Sequence, residues 1–82
     1  MDLSIKSGAR VVGLKQSLRA IRGGRALQVI LAQDAQQSMR TPVIQLCAEM
    51  GVVPEEAPTM AWLGRACGIS VGAAVAVVLR SE

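Results

Sequence analysis

Apolar residues fall into short blocks along this chain, and nearly every block ends at a glycine or a proline. Leu3–Gly8 reads as a short helix, and Arg10–Gly13 as a strand fragment built on two adjacent β-branched valines, Val11 and Val12. Leu14, Leu18 and Ile21 then recur at spacings of four and three, which places them on one face of a helix over Lys15–Arg22, closed by Gly23-Gly24. Ala26–Ala32 is almost continuously apolar (Leu27, Val29, Ile30, Leu31) and predicts a strand buried on both faces. Asp34 marks a turn or helix cap.

Val43, Leu46, Cys47 and Met50 return to helical spacing and predict a helix over Ser38–Met50, with Thr41-Pro42 within its first turn and Gly51 as its stop. Val52–Pro58 is a poor strand. Pro54 lacks a ladder donor, and Glu55 and Glu56 have low strand propensity, so an edge strand or irregular extended segment is expected. Thr59 can cap a short helix from Met60 to Ala66 that ends at Cys67-Gly68. Ile69–Gly72 is expected to turn or to begin another helical turn, and Ala73–Leu79 is an apolar last strand of central character. The order strand-helix repeated to a final strand predicts a mostly parallel sheet with helices on both faces, in a single three-layer α/β/α domain spanning residues 1–82.

Composition sharpens this only at a few points. Hydrophobic residues make up 51% of the 82, with one Trp and no Phe or Tyr, so the core is aliphatic and intrinsic disorder is excluded as the default. The net charge of +3 is weak evidence for a polyanionic partner, but its placement is stronger, because Lys15, Arg19 and Arg22 share one helical face and Arg25 follows. With two cysteines, no Cys-x-x-Cys spacing and no histidine, the usual four-ligand zinc site cannot form, and no metal or cofactor is expected. Cys47 and Cys67 read as reduced thiols of a cytoplasmic protein, Cys47 buried. The N-terminus carries no secretory pattern, and the run Val71–Leu79 is too short to cross a bilayer, so no membrane partner is expected.

The candidate site is the junction Val12-Gly13-Leu14-Lys15-Gln16, where a β-branched run stops at a glycine and a basic helix begins. The free N–H groups of a helix start, its dipole, and Lys15, Gln16, Arg19 and Arg22 together favour a polyanion. Taken by itself, such a stripe is equally well a solvated helix face. No catalytic set is present: there is no histidine, Glu55 and Glu56 are adjacent and would point to opposite faces of a strand, and Gly13-Leu14-Lys15 lacks the earlier glycine of a nucleotide phosphate loop.

Three segments together resemble the L7Ae/L30e family of kink-turn RNA-binding ribosomal proteins: Gly13–Ile21, Val29–Asp34 and Leu63–Ala74. The Lys15-Gln16 pair after the glycine is most similar to the small bacterial ribosomal-protein-like members. The resemblance implies a four-stranded mixed sheet in the order one, four, two, three, with the last strand antiparallel. It further implies recognition of a sharply bent RNA with tandem sheared G·A pairs, in which Gly13, Leu14, Lys15, Gln16, Arg19 and Arg22 meet bases and phosphates, and Ala57, Pro58 and Thr59 approach the other side of the bulge. The implied partners are structured RNA, including ribosomal RNA, and the ribosome, with the protein itself a monomer. Glu55 and Glu56, and Trp62 on the Met60–Ala66 helix, depart from the family pattern. They support the alternative of a protein-interaction domain of the same fold without RNA binding. For Trp62 alone, packing on an apolar helix is favoured over a role as a base-stacking platform.

Overall fold

The computed structural model describes residues 5–81. Its elements run β1 (Arg10–Val12), α1 (Leu14–Arg22), β2 (Ala26–Ala32), α2 (Gln37–Met50), β3 (Glu55–Ala57), α3 (Met60–Ala66) and β4 (Val75–Leu79). The strands form one sheet in the order β1-β4-β2-β3. β2 pairs β3 in parallel, with Ile30 opposite Glu55 and Ala32 opposite Ala57. β4 lies between β1 and β2 and is antiparallel to both, with Val77 opposite Val11 on one side and Val29 on the other.

Residue alternation assigns the layers. Val29, Leu31, Val75 and Val77 face α1 and α2 and pack with Ala20, Ile21, Val43, Leu46 and Cys47. Ile30, Ala32, Ala74 and Ala76 face the other way, onto Leu63 of α3, with Met60, Trp62 and Cys67 partly buried beside them. This is a three-layer α/β/α sandwich. Trp62 is half-buried against this second cluster, which is the packing role favoured from sequence.

The mostly parallel sheet read from element order is wrong for β4, and α3 shows why. At seven residues α3 rises only about 10 Å, too short to carry the chain down the sheet and back for a parallel crossover. The loop after it folds back along α3 instead, so that the Ala73 N–H donates to the Met60 carbonyl (3.0 Å) at the start of that helix. β4 therefore enters at the end where β3 left, and must run the opposite way. Gly64 permits this return, since a Cβ there would land on the Val71 carbonyl oxygen.

Several smaller expectations are corrected. The Leu3–Gly8 helix falls partly on residues outside the described range, and residues 5–8 form no helix. Of the two alternatives for Ile69–Gly72 the turn is the one found, since the chain bends at Ser70 and Val71 without a helical turn, and the last strand starts at Val75 rather than Ala73. Pro42 lies in the second turn of α2, because that helix begins at Gln37. The missing N–H leaves the exposed Ser38 carbonyl to water. β2 is not wholly enclosed, as Leu27 is exposed beside a register irregularity between Ala26 and Gln28.

Glu55 and Glu56 sit on the edge strand and point to opposite faces, as their adjacency requires. The Gln28 amide, buried on the α3 side, donates to Glu55 Oε2 (2.8 Å), and the Lys6 N–H donates to Gln28 Oε1 (2.8 Å). Glu56 is held on the α2 side by a forked pair of bonds from Arg40 (2.9 and 3.1 Å), which also donates to the Ala32 carbonyl (2.7 Å).

Candidate nucleic-acid interface

β1, β2 and β3 all end along one rim of the sheet, where β4 begins. At this rim Gly13 closes β1 and occupies the N-cap position of α1. Its φ of 102° lies in the region that side chains disfavour. Its N–H donates to the Val75 carbonyl (3.0 Å), which pins the junction to the central strand, and its own carbonyl accepts from the Ser17 N–H (3.0 Å). No side chain caps α1, and the first turn contains no acidic residue. Among the described residues the N–H groups of Leu14, Lys15 and Gln16 have no protein acceptor, so they remain available to an anion.

Leu14 and Leu18 are half-buried on the core, and Ser17, Ala20 and Ile21 are buried. That anchoring leaves Lys15, Gln16, Arg19 and Arg22 exposed. Lys15, Leu18, Arg19, Arg22 and Gly23 line a shallow groove of about 410 Å³ along the helix. The cationic ends of Lys15, Arg19 and Arg22 have no hydrogen-bond or ion-pair partner among the described residues.

The other sequence-derived segment, Ala57–Thr59, ends β3 on the far side of the same rim. Three strand spacings separate it from Gly13, roughly 14 Å. Ala57 is fully buried, and its carbonyl accepts from the Gln33 N–H (2.9 Å). Pro58 and Thr59 are exposed. Thr59 caps α3, its Oγ1 accepting from the Trp62 N–H (3.0 Å), while Asp34 Oδ1 accepts from the Met60 N–H (2.8 Å).

The rim also contains a feature missed in the sequence. The loop Gly68–Gly72 leads into β4 and presents Val71, 68% exposed, and Ile69, 36% exposed. Exposed apolar side chains in a short loop bounded by glycines were the available signal, but periodicity is blind to residues outside helices and strands.

No metal-binding cluster occurs among the described residues, and none of their helices is long and apolar enough to cross a membrane. Cys47 and Cys67 are free thiols in the two separate core clusters, on opposite faces of the sheet. Burial pushes both thiols above their ordinary range, and for Cys67 the neighbouring Arg10 partly offsets it.

Fold and site together define a small α/β/α binding module with an open, cationic helix start on its rim. The chain belongs to the ribosomal protein L7Ae/L30e/S12e/Gadd45 family, whose pattern matches residues 2–82. It is 41% identical over 76 residues to an RNA-binding protein of Geobacillus sp. strain WCH70, covering 93% of each chain. An RNA-binding protein of Caldanaerobacter subterraneus subsp. tengcongensis is 43% identical over 73 residues, covering 89% of each. Among solved structures, the Giardia lamblia 15.5 kD RNA-binding protein superposes with a TM-score of 0.83 at 29% identity, covering 90% of this chain and 62% of that one. As a member of this family the chain is a binding protein and not an enzyme.

Proposed function

We propose that this protein binds RNA and recognises kink-turns, as a cytoplasmic, monomeric, ribosome-associated or ribosomal-protein-like factor. The observation that carries the reading is the uncapped start of α1, with free backbone donors beside the exposed Lys15 and Gln16. Regular A-form RNA hides its base edges in a deep, narrow groove, so a short helix start can reach them only where the duplex is distorted. Lys15 offers donors to guanine acceptors, and Gln16 offers both a donor and an acceptor. The Gly13–Gln16 backbone can approach closely because Gly13 has no side chain, with Leu14 anchoring the turn. Arg19 and Arg22, further along the helix, fix position on phosphates. Pro58 and Thr59 meet the RNA across the rim, seated on the buried Ala57, and Ile69 and Val71 offer an apolar surface for an unstacked base. The names of the relatives support the RNA reading. The features behind the protein-interaction alternative are partly taken up by the fold, since Glu55 and Glu56 accept from Gln28 and Arg40 and Trp62 is half-buried on the sheet.

The test is titration of a kink-turn RNA against the same RNA with its G·A pairs replaced. Replacement should weaken binding by at least about 2 kcal/mol, roughly thirtyfold. Equal affinity for both RNAs would defeat kink-turn recognition, and affinity insensitive to salt would defeat RNA binding through phosphates.

A further inference from the structure

The cationic surface does not stop where α1 stops. α1 ends in a turn that fixes the position of Arg25. The Gly24 N–H donates to the Ile21 carbonyl and the Arg25 N–H to the Ala20 carbonyl (both 3.0 Å), with Gly24 left-handed at φ 71°. Arg25 is thereby held one residue past the turn, against the end of the helix. The last residues of β4 come to the same place, where the Arg80 N–H donates to the Arg25 carbonyl (2.8 Å). Two arginines distant in sequence thus share one backbone hydrogen bond, and with Gly24 and Ser81 they line a second open pocket of about 320 Å³.

This pocket adjoins the α1 groove. Gly23 lines the groove, Gly24 lines the pocket, and a Cβ on Gly23 would lie 3.9 Å from Arg25 Cδ. Arg25 and Arg80 are exposed, and neither guanidinium has a partner among the described residues. By contrast, Arg40 is bound to Glu56 and Ala32, and Arg10 donates to the Ala66 carbonyl (3.0 Å). On the acidic side Asp34, Glu55 and Glu56 are engaged within the fold. Five of the nine Lys and Arg residues, namely Lys15, Arg19, Arg22, Arg25 and Arg80, therefore form one track with no ion-pair partner among the described residues. The track runs from the rim, down the roughly 13 Å of α1, to the opposite end of the sheet.

We propose that Arg25 and Arg80 form a second phosphate-binding point, which holds the backbone of one duplex stem of the bound RNA as it leaves the kink and runs along α1. This rests on the RNA-binding reading above and extends it from the bend to the flanking helix. Charge and shape select the partner. The pocket is open, its donors are guanidinium groups suited to forked contact with phosphate oxygens, and a regular A-form stem presents them its backbone while hiding its base edges. It therefore contributes affinity that depends on stem length and salt, independent of sequence.

The experiment uses kink-turn RNAs in which each stem in turn is either cut short at the bend or extended, titrated against the intact protein and the Arg25→Gln/Arg80→Gln pair between 50 and 200 mM salt. Extending one of the two stems should tighten binding by the intact protein, and that gain should vanish in the Gln pair. The affinity of the Gln pair for the extended RNA should fall about tenfold less steeply over that salt range, as expected for two lost phosphate contacts. An Arg25→Lys/Arg80→Lys pair should keep the salt dependence. Thermal melting confirms that each variant is folded, which is expected because both side chains are exposed and unpartnered. The proposal is overturned if neither extension tightens binding, or if the Gln pair loses affinity equally for short and extended RNAs. Failure of the underlying reading looks different, because the intact protein would then bind the kink-turn and its G·A-replaced version alike at every stem length.

Discussion

α1 and α3 both start at the same rim of the sheet, each directly after a strand, yet their first turns are finished in opposite ways. α3 begins at Thr59, whose hydroxyl accepts from the Trp62 N–H, while Asp34 reaches across from the end of β2 to the Met60 N–H. Its far end is held by Arg10 on the Ala66 carbonyl. α1 begins at a glycine that offers no cap, and its first-turn donors and cationic side chains have no partner within the described residues. One helix start is satisfied by the protein, and the other is left open. Capping stabilises a helix by about 1 kcal/mol, so an uncapped start anchored by buried Ala20 and Ile21 keeps its donors available at a tolerable cost to the fold. A basic stripe alone does not make an interface. This one is proposed as an interface because it has no ion-pair partner among the described residues.

The contrast can be broken most severely at Gly64. A Gly64→Ala chain must push the Val71 carbonyl away and open the loop that returns along α3. We expect a loss of about 3 kcal/mol, read as a fall in melting temperature of roughly 12–24 °C. An unchanged melting temperature would mean that the return loop does not depend on this close approach.

Next in size is a pair of effects that should separate cleanly. Lys15→Ala and Gln16→Ala should each weaken kink-turn binding by about 1–3 kcal/mol and leave thermal stability within about 0.5 kcal/mol, since both side chains are exposed and unpartnered. Thr59→Ala should do the reverse, costing about 1 kcal/mol of stability through the lost cap, with a smaller effect on binding. If Lys15→Ala destabilises the fold as much as Thr59→Ala does, the distinction between an open and a closed helix start fails.

Ser17 sharpens the picture from inside α1. Its hydroxyl is fully buried and has no hydrogen-bond partner. Ser17→Ala removes an unsatisfied polar atom and should stabilise the protein by about 1 kcal/mol, raising the melting temperature by roughly 4–8 °C. Destabilisation instead would show that the hydroxyl is satisfied in solution.

The smallest effect concerns the thiols, one under each face of the sheet. Burial raises both above the ordinary range, so both are protonated at neutral pH. The stability linked to this is fully present below the ordinary thiol range and is lost as the pH rises from that range through the raised values. Native thiol titration at pH 7 should modify the half-buried Cys67 slowly and Cys47 only on unfolding. Reductant should leave the melting temperature unchanged, and any drop would indicate a disulfide that the placement of the two thiols on opposite faces forbids.

Much of this protein was legible in its sequence because the signals were local. The spacing of Leu14, Leu18 and Ile21 against Lys15, Arg19 and Arg22 is a property of one helix, and so is the placement of Gly13 at its start. Pro54 and the two glutamates marked β3 as an edge, and it is one. The adjacency of Glu55 and Glu56 was enough to send them to opposite faces. From the residues alone, element order gave a mostly parallel sheet, and the mixed order came only through the family resemblance. The direction of β4 depends on the brevity of α3 and on the Gly64–Val71 approach, neither of which registers as a periodicity. Which charges remain free was likewise settled by partners distant in the chain, Arg40 by Glu56 and Ala32, Arg10 by Ala66. The meeting of Arg25 with Arg80 depends on the register of β2 with β4. Local pattern determines which segments form helices and strands. Chain return, strand direction and charge pairing are long-range, and only the packed structure brings those residues together.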